Sequence, residues 1–308
     1  MSQRICVTGG AGFVGTHAVD RLRAAGAEVL VVDDLSRTGT RPPAGVAFTR
    51  VDVADFMAMT EALGAFRPEA VVHLAARTVA TAVGRDAVTA ALVNVTGTLS
   101  ALEAACAVGA QRFILMSSAA VYGDPRAELL PLGEDAPLAP IAPYGASKVA
   151  AEAYVNAFDR AGRIRCTIIR PSNIYGPMQR SDLEGGVVAR FCEALGRAEP
   201  PTIFGDGLHV RDYVYVADVA EALACAIETD AAAGETFNVS TGAGCTVVDL
   251  FTRVAAAVGF RGEPRIEPPR PGDIRDSRLS AERAARLLGW RARTPLDEGL
   301  RLTLAASR

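Results

Sequence analysis

The segment Gly9-Gly10-Ala11-Gly12-Phe13-Val14-Gly15 narrows the possible folds more than any other part of the chain. It follows a strand-like run, Arg4-Ile5-Cys6-Val7-Thr8, and opens a helix-like stretch, Val14–Ala25. Gly9, Gly12 and Gly15 recur at every third position. The first permits a tight turn, the second lets the backbone approach a ligand, and the third lets the helix lie close to its strand. A helix that begins there offers free N–H groups and the positive end of its dipole, which suits a pyrophosphate.

The same rhythm continues. Ile5–Thr8, Val29–Asp33, Ala70–Leu74, Phe113–Ser117 and Cys166–Arg170 read as strands, most of them nearly continuous in apolar character. Parallel strands covered on both faces have that pattern. Val14–Ala25, Phe56–Ala65, Arg85–Val108 and Tyr144–Ala161 read as helices. The alternation predicts an α/β fold, a Rossmann-type doubly wound parallel sheet. After Pro171 the rhythm changes, and proline and glycine become frequent. Residues 1–173 are expected to form the dinucleotide-binding domain. Residues 174–308 are expected to form mainly a smaller C-terminal substrate-binding lobe, ending near a short helix, Ala281–Trp290. Val214–Val216 and Thr236–Val239 are expected to return to the main sheet.

Composition excludes several function classes. A net charge of −3, with no basic block and few aromatics, argues against a nucleic-acid surface. No apolar run approaches the ~18–20 residues of a membrane span, and the chain opens on a strand-like segment rather than a signal peptide. The six cysteines are scattered without a Cys-x-x-Cys pair, as small buried hydrophobes of a reducing compartment such as the cytoplasm. None of the three histidines has metal-ligand spacing, so no metal site is expected.

Asp33 closes the second predicted strand. A carboxylate there suits an adenosine ribose diol and repels a 2′-phosphate, which favours NAD over NADP, although Arg37 nearby can greet a phosphate. Asp52 reads equally as an adenine contact or as a helix N-cap.

Lys148 is the single lysine among 32 basic side chains. Pro143 suits a helix start, so Tyr144 and Lys148, at i and i+4, share a helix face. An ammonium beside a phenol favours phenolate and is expected to lower the tyrosine pKa. Tyr144 can then take a proton from an alcohol as hydride leaves. Ser118, just past the strand Phe113–Ser117, can bond the same oxygen.

These motifs resemble the extended short-chain dehydrogenases/reductases, and within them the NAD-dependent nucleotide-sugar epimerase/dehydratase family. The resemblance rests on Thr8–Gly15, Asp33-Asp34-Leu35-Ser36, Val72–Ala76, Asn94–Thr98, Ser117–Gly123 and Tyr144–Lys148. It continues through Asn173–Pro177, Gly185–Val188, Thr202–Gly207, Arg211–Val214 and Arg270-Pro271-Gly272-Asp273. It implies Ser118, Tyr144 and Lys148 as catalytic. For the cofactor it implies Gly9, Gly12, Phe13, Val14, Gly15, Asp33, Asp34, Asp52, Val53, Leu74, Ala75 and Ala76, together with Tyr144 and Lys148, and with Asn94 structural or cofactor-side. For a UDP-sugar it implies Thr78, Ser118, Asn173, Gly186, Val187, Thr202, Phe204, Arg211, Arg270, Asp273 and Ser277. Arg211 and Arg270 can clamp a diphosphate, and Phe204 can pack on a pyrimidine.

Two departures shape the expected reaction. Ala119-Ala120 stand where sugar 4,6-dehydratases carry an Asp-Glu pair, which favours 4-epimerisation. Ser277 stands where a bulky aromatic gates the sugar 2-substituent, which leaves room for an N-acetyl group. His209, Val210 and Thr78 also depart from relatives. The expectation is NAD-dependent 4-epimerisation of a UDP-hexose by a homodimer. The rivals are a UDP-glucuronate epimerase or decarboxylase, a 4-ketosugar reductase, and a silent dinucleotide sensor.

Overall fold

The structure is a computed structural model that describes residues 3–37, 41–78, 87–181, 186–270 and 272–306. Arg85, Gly185 and Pro271, which fall in the segments read above, lie outside them. At the centre is a seven-stranded sheet. It is built from β1 (Arg4–Thr8), β2 (Glu28–Asp33), β3 (Ala47–Arg50), β4 (Ala70–His73), β5 (Arg112–Met116), β6 (Arg165–Pro171) and the strand Thr236–Val239. The spatial order is Thr236–Val239, β6, β5, β4, β1, β2, β3, and every pairing is parallel. The order reverses between β1 and β4, which opens a crevice beyond their carboxyl ends.

Alternate side chains of each strand enter separate cores. Ile5, Val7, Val29, Val31 and Ile114 join Val19, Leu22 and Leu223 on one face. Cys6, Leu30, Val32, Phe113 and Leu115 join Met59, Leu63, Leu102 and Val155 on the other. This double cover is why the strands read as unbroken apolar runs. Helices Phe13–Ala24 and Val216–Glu228 cover the first face, and Phe56–Phe66, Gly97–Ala107 and Pro143–Arg160 the second.

The helix Ala87–Ala107 contains a π-helical turn, Leu92–Thr96. Among the described residues it alone is long and apolar enough to cross a membrane, but half of it is buried inside the protein.

The expectation that residues 214–216 rejoin the main sheet is not met. Tyr213–Tyr215 pairs instead with Asn173–Tyr175, in a separate two-stranded sheet. The outer edge of β6 is taken by Thr236–Val239, so that edge has no room for a second partner. The lobe has its own core of Tyr175, Phe191, Leu250, Val254 and Leu300. Two small sheets carry its cavity-facing residues: Thr202–Phe204 with Arg265–Glu267, and Val210–Arg211 between Cys245–Thr246 and Asp276–Ser277. The short helix near the end runs Glu282–Leu287. Its Ala284, with Leu288 and Trp290, packs on the first face of the main sheet, and the Trp290 indole donates to the Asp218 carbonyl at 2.9 Å.

Candidate active site

The carboxyl ends of β1, β2, β4 and β5 and the facing lobe enclose one cavity of about 1050 Å³. Every site residue expected from the sequence lines it except Asn94. Its size exceeds the ~300–1,000 Å³ of an ordinary small-ligand pocket and suits two ligands meeting end to end.

The dinucleotide end is built by glycine. Gly9 has φ +69°, and a Cβ there would lie 2.6 Å from the Ala75 nitrogen. A Cβ on Gly15 would lie 2.2 Å from the Gly9 carbonyl oxygen. The loop therefore folds onto Leu74–Ala76 only without side chains at these points. Gly12 begins the helix Phe13–Ala24 with no side-chain cap, so its first-turn N–H groups are left for a ligand. The Asp33 carboxylate accepts from the Ala11 and Leu35 N–H groups at 3.1 and 2.9 Å. Burial pushes its pKa up, and these two bonds oppose the shift. Asp34 accepts from the Ser36 N–H at 2.9 Å. A cradle that a Cβ would fill, a fixed carboxylate and an uncapped helix start fit NAD.

Asp52 lines the cavity and accepts from the Ala54 N–H, but the helix that follows is capped by Asp55, which accepts from Ala58. The cap reading of Asp52 is thereby set aside. Val53 packs under Gly97, where a Cβ would lie 2.7 Å from a Val53 methyl.

Asn94 is fully buried in the π-helical turn and lies behind the cavity wall. Its side chain accepts from the Arg77 N–H at 2.8 Å and donates to the Arg77 carbonyl at 3.0 Å and to Ser147 Oγ at 2.9 Å. It ties the segment after β4 to the helix Pro143–Arg160. It is not among the residues that line the cavity. Thr98 donates to the Asn94 carbonyl at 2.7 Å, so its oxygen is left to accept from His73 Nε2 at 3.1 Å. Thr8 then donates to His73 Nδ1 at 2.8 Å. These bonds assign His73 as the neutral Nε2–H tautomer.

The helix Pro143–Arg160 starts at proline, and Gly145 lets it approach the turn after β5. A Cβ on Gly145 would lie 2.4 Å from the Ala120 carbonyl oxygen. Ser118 opens that turn and accepts from the Ala120 N–H at 3.1 Å. The Tyr144 phenol lies beside the Ser118 side chain, which opposes the rise of its pKa. The Lys148 ammonium is 2 % exposed, donates to the Met116 carbonyl at 2.8 Å and lies 6.0 Å from the Tyr144 ring centre. The expected lowering of the tyrosine pKa is not found in the protein by itself. Burial pushes the Tyr144 phenol up, and only the Ser118 bond opposes it. Burial also lowers Lys148, to about 8, against the pull of Glu152.

Asn173, Gly186, Val187, Thr202, Phe204, Arg211, Arg270, Asp273 and Ser277 line the lobe end. Gly186 begins the helix Val187–Gly196, again without a side-chain cap. Arg211 donates to the Asp273 carboxylate at 2.8 Å. The Arg270 guanidinium carbon lies over Phe204, 3.6 Å from the ring centre, so one face of the ring expected to pack on a pyrimidine is taken by the chain's own cation. Ser277 is buried and pairs in register with Arg211. Thr78, expected against the sugar, accepts from Arg37 at 3.3 Å, so its hydroxyl faces the segment after Asp33.

Further lining residues did not stand out in the sequence. Gln179 Oε1 and the Tyr213 hydroxyl are buried without a hydrogen-bond partner among the described residues. Arg190 sits in the first turn of Val187–Gly196, where a cation opposes the helix dipole. The two unpartnered atoms have no counterpart in local sequence.

The NAD dependent epimerase/dehydratase family matches residues 5–240. A UDP-glucose 4-epimerase of Mycolicibacterium smegmatis is 42% identical over 98% of this chain and 97% of its own. The crystal structure of UDP-glucose 4-epimerase with UDP-glucose from Thermotoga maritima superposes with a TM-score of 0.95, at 39% identity over 99% of both chains. That of Thermus thermophilus UDP-glucose 4-epimerase with NAD gives 0.92, at 39% identity over 99% of this chain and 98% of that one. The chain belongs to the NAD-dependent epimerase/dehydratase family.

Proposed function

We propose that the protein interconverts the C4 epimers of a UDP-hexose through a transient 4-keto sugar, acting on UDP-glucose and UDP-galactose and on the N-acetylated pair. The observation that carries this reading is the convergence of Ser118, Tyr144 and the single lysine on one cavity, with the glycine loop at one end and Arg211 and Arg270 at the other.

NAD, when bound, supplies a hydride acceptor that also serves as donor, and a positive charge beside the phenol. The chain's own residues handle protons and orientation. Tyr144 takes the proton of the sugar 4-hydroxyl and later returns it. Ser118 bonds the same oxygen. Lys148 supports the phenolate with the N–H groups not given to Met116. Burial pushes the Tyr144 phenol up in the protein alone, which makes the added positive charge of the filled site important for forming the base. Arg211 and Arg270 hold the diphosphate far from the reacting carbon, which leaves the keto sugar free to turn. Ala119 and Ala120 offer no acid for dehydration at the cavity wall. Ser277 leaves space beside the sugar C2.

The protein acts as a homodimer through the helices Ala87–Ala107 and Pro143–Arg160, a reading supported by exposed Val88, Leu92 and Tyr154. Its compartment is the cytoplasm, a reading supported by the buried free thiols Cys6, Cys166 and Cys192.

The test is nucleotide-sugar chromatography after incubation with UDP-glucose or UDP-N-acetylglucosamine, without added reductant. The 4-epimer is expected from both. No product from either, with NAD supplied, sinks the reading in favour of a uronic-acid substrate or a reductase. Turnover of UDP-glucose alone sinks the open-gate reading of Ser277.

A further inference from the structure

Tyr144, Lys148 and Glu152 lie at i, i+4 and i+8 on the helix Pro143–Arg160 and share one face. That face docks on the end of β5 and the two residues beyond it. Tyr144 meets the Ser118 side chain. Lys148 donates to the Met116 carbonyl. Ser117 Oγ donates to Glu152 Oε1. Three turns of helix thus grip three consecutive residues.

Glu152 is 2 % exposed. Arg170 on β6 closes it from the other side, Nε to Oε1 at 3.0 Å and Nη2 to Oε2 at 2.7 Å. Arg170 also donates to the Tyr122 hydroxyl at 2.9 Å and to the Glu134 carbonyl at 3.0 Å. A buried carboxylate survives only when paired and hydrogen-bonded, and this one is both.

The charged and titratable groups around Lys148 are few. Glu152 and Tyr144 come from its own helix, His73 from β4 and Arg170 from β6. His73 is neutral near pH 7, because burial and then Lys148 push it down to about 3. Tyr144 is held protonated by burial. Lys148 and Arg170 are cations. Glu152 supplies the negative charge of this set, and it opposes the burial that draws the proton from Lys148.

We propose that Glu152 is a positioning residue for the reaction, the counter-charge that keeps Lys148 an ammonium aimed into the cavity and, with Ser117, the clamp that sets the helix against Ser118. This rests on the epimerase reading, in which Lys148 works as a cation. Without the carboxylate, nothing in this set opposes the burial that draws the proton from Lys148, while Arg170 keeps its own proton at any accessible pH.

The single lysine makes this directly measurable. Full-length protein carrying lysine labelled with carbon-13 at Cε gives one such side-chain resonance, whose titration midpoint reports Lys148. In Glu152→Gln the midpoint is expected to fall by about one pH unit or more. In Glu152→Asp, which keeps the charge, it stays close to the wild-type position. The alkaline limb of kcat/KM moves with it. Where Glu152→Gln does not fold, the comparison is Arg170→Met against Glu152→Gln/Arg170→Met, and the double variant is expected to titrate lower. An unmoved midpoint overturns the proposal. So does an Asp variant displaced as far as the Gln variant, which marks a packing role only. A shifted midpoint in protein that epimerises no UDP-sugar sinks the epimerase reading alone. An unmoved midpoint in protein that turns over sinks this proposal alone.

Discussion

Arg270 sits over Phe204, with its guanidinium carbon 3.6 Å from the ring centre. The aromatic face at the lobe end of the cavity is thus occupied by the chain's own cation. Cation–π contact of this kind contributes ~0.5–1 kcal/mol where exposed. A charge-assisted bond to a phosphate is worth ~1.5–3 kcal/mol, so Arg270 is expected to leave the ring for a bound diphosphate.

Arg270→Ala is expected to weaken UDP binding about 10- to 100-fold, as measured by calorimetry, with KM raised far more than kcat is lowered. Arg270→Lys should recover only part of this, because the forked, planar contact is lost. Full recovery with lysine would contradict a guanidinium-specific role.

Gly15→Ala places a methyl 2.2 Å from the Gly9 carbonyl oxygen, which is backbone and cannot swing aside. The loop must open. Dinucleotide affinity, followed by fluorescence quenching, is expected to fall at least about tenfold, equivalent to 1.4 kcal/mol. The same substitution at Gly64, where nothing lies within 4 Å, should leave affinity unchanged.

Tyr144→Phe keeps the ring and removes the acid–base group. Turnover is expected to fall about 10²- to 10⁴-fold while dinucleotide binding persists. A variant that retains most of its turnover would move the proton transfer to another group.

His73 makes the fold acid-sensitive. Its folded pKa of about 3 lies below its ordinary value of 6.5. Between those values the unfolded chain binds the proton and the folded one does not. Stability is therefore full above pH 6.5 and is lost as pH falls toward 3, by up to about 1.4 kcal/mol per pH unit. Denaturant titrations at pH 7, 6 and 5 should show this slope in wild type and a shallower one in His73→Gln. Equal slopes would mean that His73 is not the titrating group.

Much of the site was legible because it is local. Gly9, Gly12 and Gly15 act within one turn, Asp33 ends the strand beside them, and Tyr144 and Lys148 share a helix face by spacing alone. Backbone sterics and the helical repeat act over a few residues, so a string of letters carries them. The continuous apolar strands likewise announced a sheet covered on both faces.

Long-range geometry decided the rest. Asn94 stands in a family motif beside cofactor residues, yet its amide bridges Arg77 and Ser147 behind the cavity wall. Val214–Val216 reads as a strand of the main sheet, but Thr236–Val239 already holds that edge and the strand Tyr213–Tyr215 pairs with Asn173–Tyr175 instead. Glu152 is one glutamate among many in sequence. Its burial against Arg170 from β6 and Ser117 from the end of β5 is what sets it facing Lys148. Desolvation depends on what surrounds a group in three dimensions, and so the sequence determined which residues form the reactive set while only the tertiary structure decided that Tyr144 stays protonated and that Lys148 titrates near 8.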